Sequence, residues 1–189
     1  MKTIFKDSID TEKQLADKFA AFFRNKVETL KKPSNAAEIF DKLSNSIGNV
    51  PQWDLVPCSK EDVSKAIDDL KPSLSSGPDL IPNRLIKSLK FEALEALTSV
   101  FNKCIMEGVF PDIWKSGKIF PTFKKGSKNK IENYRPVCLF SNLGKLFEAV
   151  IGKQLTSHLE KFLPDNMYGF RPGRSTQDAV SHALDKIHR

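Results

Sequence analysis

Residues 115–140 read KSGKIFPTFKKGSKNKIENYRPVCLF, and the fold is decided there. Gly117 to Phe123 reads as a strand, with Pro121 at a position that suits a sheet edge. Lys124 to Glu132 is a Lys/Gly/Ser/Asn-rich connection, and Asn133 to Phe140 reads as the returning strand. The pattern predicts a β-hairpin with a long, flexible, basic tip. Between Lys115 and Arg135 the cations are Lys115, Lys118, Lys124, Lys125, Lys128, Lys130 and Arg135, against the single acid Glu132. Cations on a tip beside a rigid sheet reach phosphates, lysine as a point charge and arginine as a bidentate fork. The same cluster serves equally well as a solvated guard on an exposed sheet edge. Chemistry alone leaves both readings open.

On either side of the hairpin the apolar period is helical. Asn142 to about Leu163 places Leu143, Leu146, Phe147, Val150, Ile151, Leu155 and Leu159 on one face, with Pro164 as the stop. Upstream, Glu92 to Glu107 carries Leu94, Leu97, Val100, Phe101, Cys104 and Ile105, and Gly108 closes it. A shorter helix over Asn83–Leu89 leads into it. Ser59 and Asp62 form a capping-box pair for a helix bearing Val63, Ala66, Ile67 and Leu70, and Pro72 ends that helix. Ile9 to Lys32 reads as an amphipathic helix with Leu15, Phe19, Phe22, Phe23, Val27 and Leu30. A weaker helix is expected over Ala36–Ile47, and a linker over Gly48–Pro57. Ser175 and Asp178 open a last helix with Val180, Leu184 and Ile187. The expected fold class is therefore α+β, mostly helical with one hairpin.

Composition narrows the function. The chain has 189 residues, 40% of them hydrophobic, a formal net charge of +7 and an isoelectric point near 9.3. A basic excess favours phosphate-rich partners, chiefly nucleic acid. Cys58, Cys104 and Cys138 are widely spaced and form no zinc or disulfide pattern, so buried free thiols in a reducing compartment are expected. The first residues, MKTIFKDSID, lack the apolar run of a signal peptide, and no stretch is long and apolar enough to span a bilayer. The expectation is an intracellular protein, cytoplasmic or nuclear, with no membrane partner. His158, His182 and His188 have no nucleophile or metal spacing and read as surface residues.

Two further segments carry chemistry. In Gly169-Phe170-Arg171-Pro172-Gly173-Arg174-Ser175, two arginines sit in a stiff turn ahead of a helix N-terminus, which favours phosphate. An ordinary capped turn with exposed arginines fits equally. Ser75-Ser76-Gly77-Pro78-Asp79-Leu80-Ile81-Pro82 reads only as a tight turn before a helix.

Three blocks then appear in order: SSGPDLIPNRLIK, PDIWKSGKIFPTFKKGSKNKIENYRPVCLFSNLGKLFEAVI and MYGFRPGRSTQDAV. They resemble the opening blocks of non-LTR retrotransposon reverse transcriptases of the Jockey and related clades. The central pattern, FKKG, then NYRP, then N-x-x-K-x-F-E, is the most specific. The resemblance covers roughly Ser59 to Arg189 and implies a partial polymerase domain, the fingers and the entry to the palm of a right-hand fold. Residues 1–58 resemble the helical linker upstream of the polymerase. By this resemblance Lys124, Lys125 and Arg135 approach the triphosphate of an incoming dNTP. Gly77, Asp79, Lys128, Lys130, Phe170, Arg171 and Arg174 are implied on the side of the RNA template and the RNA/DNA duplex. The extension block usually reads G-P-D-G-I-P. Leu80 stands here in place of the second glycine, and because leucine resists positive φ the loop is expected to differ.

The family transfers phosphoryl groups with two Mg²⁺ ions held by palm carboxylates. No Y/F-x-D-D occurs in these 189 residues, and Asp68-Asp69 lies in an amphipathic helix upstream of every block, where solvent exposure is expected. The expectation is a truncated polymerase segment, inactive alone and without a cofactor of its own. Two alternatives are a non-catalytic basic nucleic-acid-binding module and a helical protein-interaction domain. A segment without its palm is also expected to leave Val180, Leu184 and Ile187 uncovered.

Overall fold

The structure, a computed structural model, describes residues 12–30, 41 and 53–188. The elements are α1 (Glu12–Leu30), α2 (Lys60–Asp69), α3 (Asn83–Ser88), α4 (Lys90–Glu107), α5 (Asp112–Lys115), β1 (Gly117–Phe123), β2 (Tyr134–Phe140), α6 (Asn142–Leu159) and α7 (Thr176–His188). The α+β reading holds: the chain is mostly helical, with one two-stranded antiparallel sheet. The helix expected over Ala36–Ile47 and most of the Gly48–Pro57 linker lie outside the described residues. Among the described residues no helix is long and apolar enough to cross a membrane.

The main core lies among α2, α4, α5 and α6. Val63, Ile67, Phe101 and Leu146 are fully buried there, joined by Ile86, Phe147 and Val150. Phe101, Trp114, Phe110 and Phe147 form an aromatic knot with ring centroids 5.1–6.0 Å apart. Trp114 comes from α5, a single turn that the sequence periodicity does not reveal. Truncating a buried phenylalanine such as Phe101 in such a knot costs about 3–5 kcal/mol.

The helix ends follow their caps. Ser59 and Asp62 form the expected capping box at α2: the Asp62 amide donates to Ser59 Oγ at 3.1 Å and the Ser59 amide to Asp62 Oδ2 at 3.1 Å. The C-terminal carbonyls of α2 have a less expected partner. Lys87 Nζ donates to the carbonyls of Ile67, Asp68 and Leu70 at 3.3, 2.7 and 2.9 Å, a cation on the negative end of the dipole. Asp68 is exposed, as expected, but pairs with Lys90 at 2.6 Å. Gly108 closes α4 in the left-handed conformation. Helix α6 stops at Leu159, four residues short of the expected Leu163, and Glu160 at its end turns to an arginine described below.

The segment 53–58 is held like a strand without a sheet. Gln154 of α6 pairs its side-chain amide with the backbone N–H and C=O of Val56, at 3.1 and 2.9 Å. Asn102 of α4 does the same to Cys58, at 2.7 and 3.0 Å. Trp53 stacks on His158, which also meets Phe162, so His158 is half-buried rather than a surface residue. Of the three thiols, Cys58 and Cys104 are buried as expected, but Cys138 on β2 is exposed. Burial pushes the Cys58 and Cys104 thiols up from their ordinary value.

A second, smaller core joins α1 to the hairpin. Phe19 and Phe23 bury against Tyr134, with Leu15, Phe22 and Ile131 around them. The Phe19 ring meets Tyr134 edge-on at 5.1 Å. Val27 and Leu30, expected on the buried face, are exposed. The helix that resembles an upstream linker thus packs directly on the base of the hairpin tip.

Candidate nucleic-acid interface

The hairpin register follows from its two prolines. Pro121 lies opposite Pro136, and since neither has an N–H the pair must be a non-hydrogen-bonded one. Alternation then fixes two faces. Ile119, Cys138, Phe123 and Tyr134 share one, the face on which α1 sits. Lys118, Phe120, Thr122, Arg135, Val137 and Leu139 share the other.

The tip is crossed by hydrogen bonds of its own. Lys124 N donates to Asn133 O at 2.8 Å, and Asn133 Nδ2 returns across the loop to Ser127 O at 2.8 Å. Tyr134 Oη donates to Lys128 O at 2.9 Å. Lys128 Nζ lies 5.7 Å from the Phe123 ring centroid, a cation–π contact. Lys124, Lys125, Lys128, Lys130 and Arg135 are all exposed, and among the described residues none of the five forms an ion pair. Lys115, at the hairpin's foot, is instead paired with Asp112 at 2.7 Å. Like charges gathered on one fixed loop repel one another, and an added polyanion relieves that repulsion.

The Ser75–Pro82 loop is bolted to the end of β2. Asp79 Oδ2 accepts from Ser141 Oγ at 2.5 Å, and Asn142 Nδ2 donates to the carbonyls of Ser75 and Ile81 at 2.9 and 2.8 Å. Ser141 and Asn142 are buried. Gly77 lies so close that a Cβ on it would meet the Phe140 carbonyl carbon and Ser141 N at 2.5 Å. Gly77 and Asp79, implied as template contacts, are thus engaged with the hairpin's root. Leu80 adopts φ 58°, the conformation a glycine would take, so the leucine does not divert the backbone; its side chain is exposed.

The Gly/Pro/Arg turn is organised by one arginine. Arg171 is buried, its Nε and Nη2 donating to Glu160 Oε1 at 3.2 and 2.5 Å and its Nη1 to the carbonyls of Pro164 and Met167 at 2.9 and 3.3 Å. Its guanidinium is occupied with the protein. Beside it Phe170 sits at φ 60° with its side chain wholly exposed. Arg174 lies over the Tyr168 ring at 5.6 Å and 3.7 Å from Asp165. Asp178 already occupies the α7 N-terminus, accepting from the Ser175 amide and hydroxyl at 2.8 Å, and these bonds hold its carboxyl below the usual range. The sequence did not flag Glu160, Ser141 or Asn142 as partners, because nothing local ties residues 11 to 67 positions apart.

Among the described residues no group of three or more His, Cys, Asp or Glu side chains is gathered to hold a metal ion.

No family model matches the chain. Comparison with curated proteins finds relatives. The chain is 35% identical over 133 residues to the probable RNA-directed DNA polymerase from transposon BS of Drosophila melanogaster, covering 69% of this chain and 15% of that protein. It is 32% identical over 128 residues to the RNA-directed DNA polymerase from mobile element jockey of the same fly, covering 66% and 14%. It is 28% identical over 178 residues to the probable RNA-directed DNA polymerase from transposon X-element, covering 91% and 19%. Over most of its length the chain is thus similar to the polymerases of these non-LTR retrotransposons, and it spans less than a fifth of the length of each.

Proposed function

We propose that residues 59–189 are the fingers and palm entry of a non-LTR retrotransposon reverse transcriptase, and that residues 1–58 are its upstream linker. Lys124, Lys125 and Arg135 hold the phosphates of a nucleotide or strand, with Lys128 and Lys130 extending the same field. Phe170 and Arg174 face the template, while Arg171, Gly77 and Asp79 set the shape of what the template meets. The supporting observation is the tip itself: Lys124, Lys125, Lys128 and Lys130 exposed on a hydrogen-bonded loop and Arg135 exposed beside them on β2, with none of the five in an ion pair among the described residues. The relatives' naming as RNA-directed DNA polymerases points the same way. The uncovered Val180, Leu184 and Ile187 of α7 suit a surface that packs against further polymerase structure.

Phosphate binding releases counterions, so affinity for RNA falls with salt, by a log–log slope of about −0.7 per phosphate held on a single strand. Replacing Lys124, Lys125 and Arg135 together by alanine lowers affinity and flattens that slope by about 2. RNA binding that ignores salt, or that survives the triple substitution, contradicts the reading. The 189 residues alone extend no primer on a template with Mg²⁺, and incorporation above background would refute that part.

A further inference from the structure

We propose that the open face of the hairpin is a stacking platform for an unpaired nucleotide, with Phe120 under the base and Lys118 and Arg135 on the flanking phosphates. This deepens the reading of the hairpin as a phosphate holder and rests on it.

The two phenylalanines of β1 that lie nearest the tip have different surroundings. Phe123 shares the face of Tyr134, the residue on which α1 packs; it is 37% exposed and its ring packs on Tyr134 at 5.6 Å. Phe120 is on the opposite face, 55% exposed, and belongs to neither buried cluster. Its cross-strand neighbour Val137 is 41% exposed. One pair nearer the tip stand Thr122 and Arg135, and one pair nearer the foot Lys118 and Leu139, with Lys118, Thr122 and Arg135 all exposed. The face thus carries cations on both sides of one flat aromatic ring.

That arrangement selects its occupant. A protein surface packing on Phe120 would need carboxylates set against both Lys118 and Arg135, since burying those cations unpaired is costly. A nucleic-acid strand brings both complements at once, a π-face for the ring and phosphates for the cations. The ring is carried on a paired strand, and any base has a face to offer, so the contact is expected to be tolerant of sequence.

The test compares an oligoadenylate RNA strand with an abasic ribose-phosphate strand of equal length, binding to the full chain. Phe120→Ala is expected to weaken the oligoadenylate about tenfold and to leave the abasic strand unchanged, while Phe120→Trp restores binding. Phe91→Ala, which removes an 85% exposed phenylalanine on α4, is expected to change neither. If Phe120→Ala weakens both strands alike or neither, the platform is overturned and the phosphate-holding reading stands. If the native chain binds neither strand, both are overturned. An unchanged thermal melt for Phe120→Ala shows that the loss is at the surface.

Discussion

Asp79 and Ser141 are 62 residues apart in sequence and share a 2.5 Å hydrogen bond, carboxylate to hydroxyl, where the Ser75–Pro82 loop meets the end of β2. Ser141 also accepts from the Gly144 amide as the N-cap of α6. One hydroxyl therefore fixes a loop, a strand end and a helix start together. Ser141→Ala leaves the Asp79 carboxylate and the Gly144 amide without this partner, and is expected to cost about 1–3 kcal/mol in urea unfolding. Gly77→Ala, which forces a Cβ into the Phe140 backbone, is expected to cost at least as much. A wild-type midpoint for either variant would show that loop and hairpin are not joined this way.

Arg171→Ala removes every bond holding the 164–174 turn to Glu160, and leaves the carbonyls of Pro164 and Met167 without that donor. The expected result is faster amide exchange and proteolysis across the turn. Arg171→Lys, with no fork to span Glu160 and two carbonyls, rescues it only in part. Unchanged protection in the alanine variant would show that the clasp does not hold the turn.

Leu80 occupies the left-handed region at φ 58°, which costs a non-glycine residue about 1–2 kcal/mol. Glycine relieves that strain but adds freedom to the unfolded chain, so Leu80→Gly is expected to raise stability by up to about 1 kcal/mol. Leu80→Val, with a branched Cβ in the same conformation, is expected to lower it. Denaturant titration checks both, and a destabilising glycine would show that the leucine side chain contributes packing here.

The two reciprocal caps give a pH dependence of known sign. Hydrogen bonds from Ser59 hold the Asp62 carboxyl below 3.8, and those from Ser175 do the same for Asp178. A carboxylate whose folded value is depressed binds fewer protons folded than unfolded. Its contribution is therefore present above about pH 4 and is lost as pH falls below that. Asp62→Asn is expected to flatten this acid limb of the stability curve while changing the neutral plateau by only about 1 kcal/mol. An acid limb identical to wild type would remove Asp62 from the account.

Cys138 is the one exposed thiol among the three, and Cys58 and Cys104 are buried with their thiols pushed up. A soluble thiol reagent at neutral pH is expected to modify Cys138 alone in the folded chain and all three in denaturant. Modification of Cys58 at a comparable rate would mean that the 53–58 strap opens readily.

The amino-acid pattern alone determined the local structure. Helix periods, the Ser59–Asp62 and Ser175–Asp178 boxes, the Gly108 stop and the hairpin about a basic tip are all set by residues within a few positions of one another. The tertiary structure decided what those elements do to each other. It packed α1 on Tyr134, turned Arg171 inward to Glu160 and bolted Asp79 to Ser141, and it stacked Phe123 on Tyr134 while leaving Phe120 outside both cores. The physical reason is range. Capping and periodicity act within one or two helical turns, whereas burial and buried hydrogen bonding depend on which distant groups arrive at the same place.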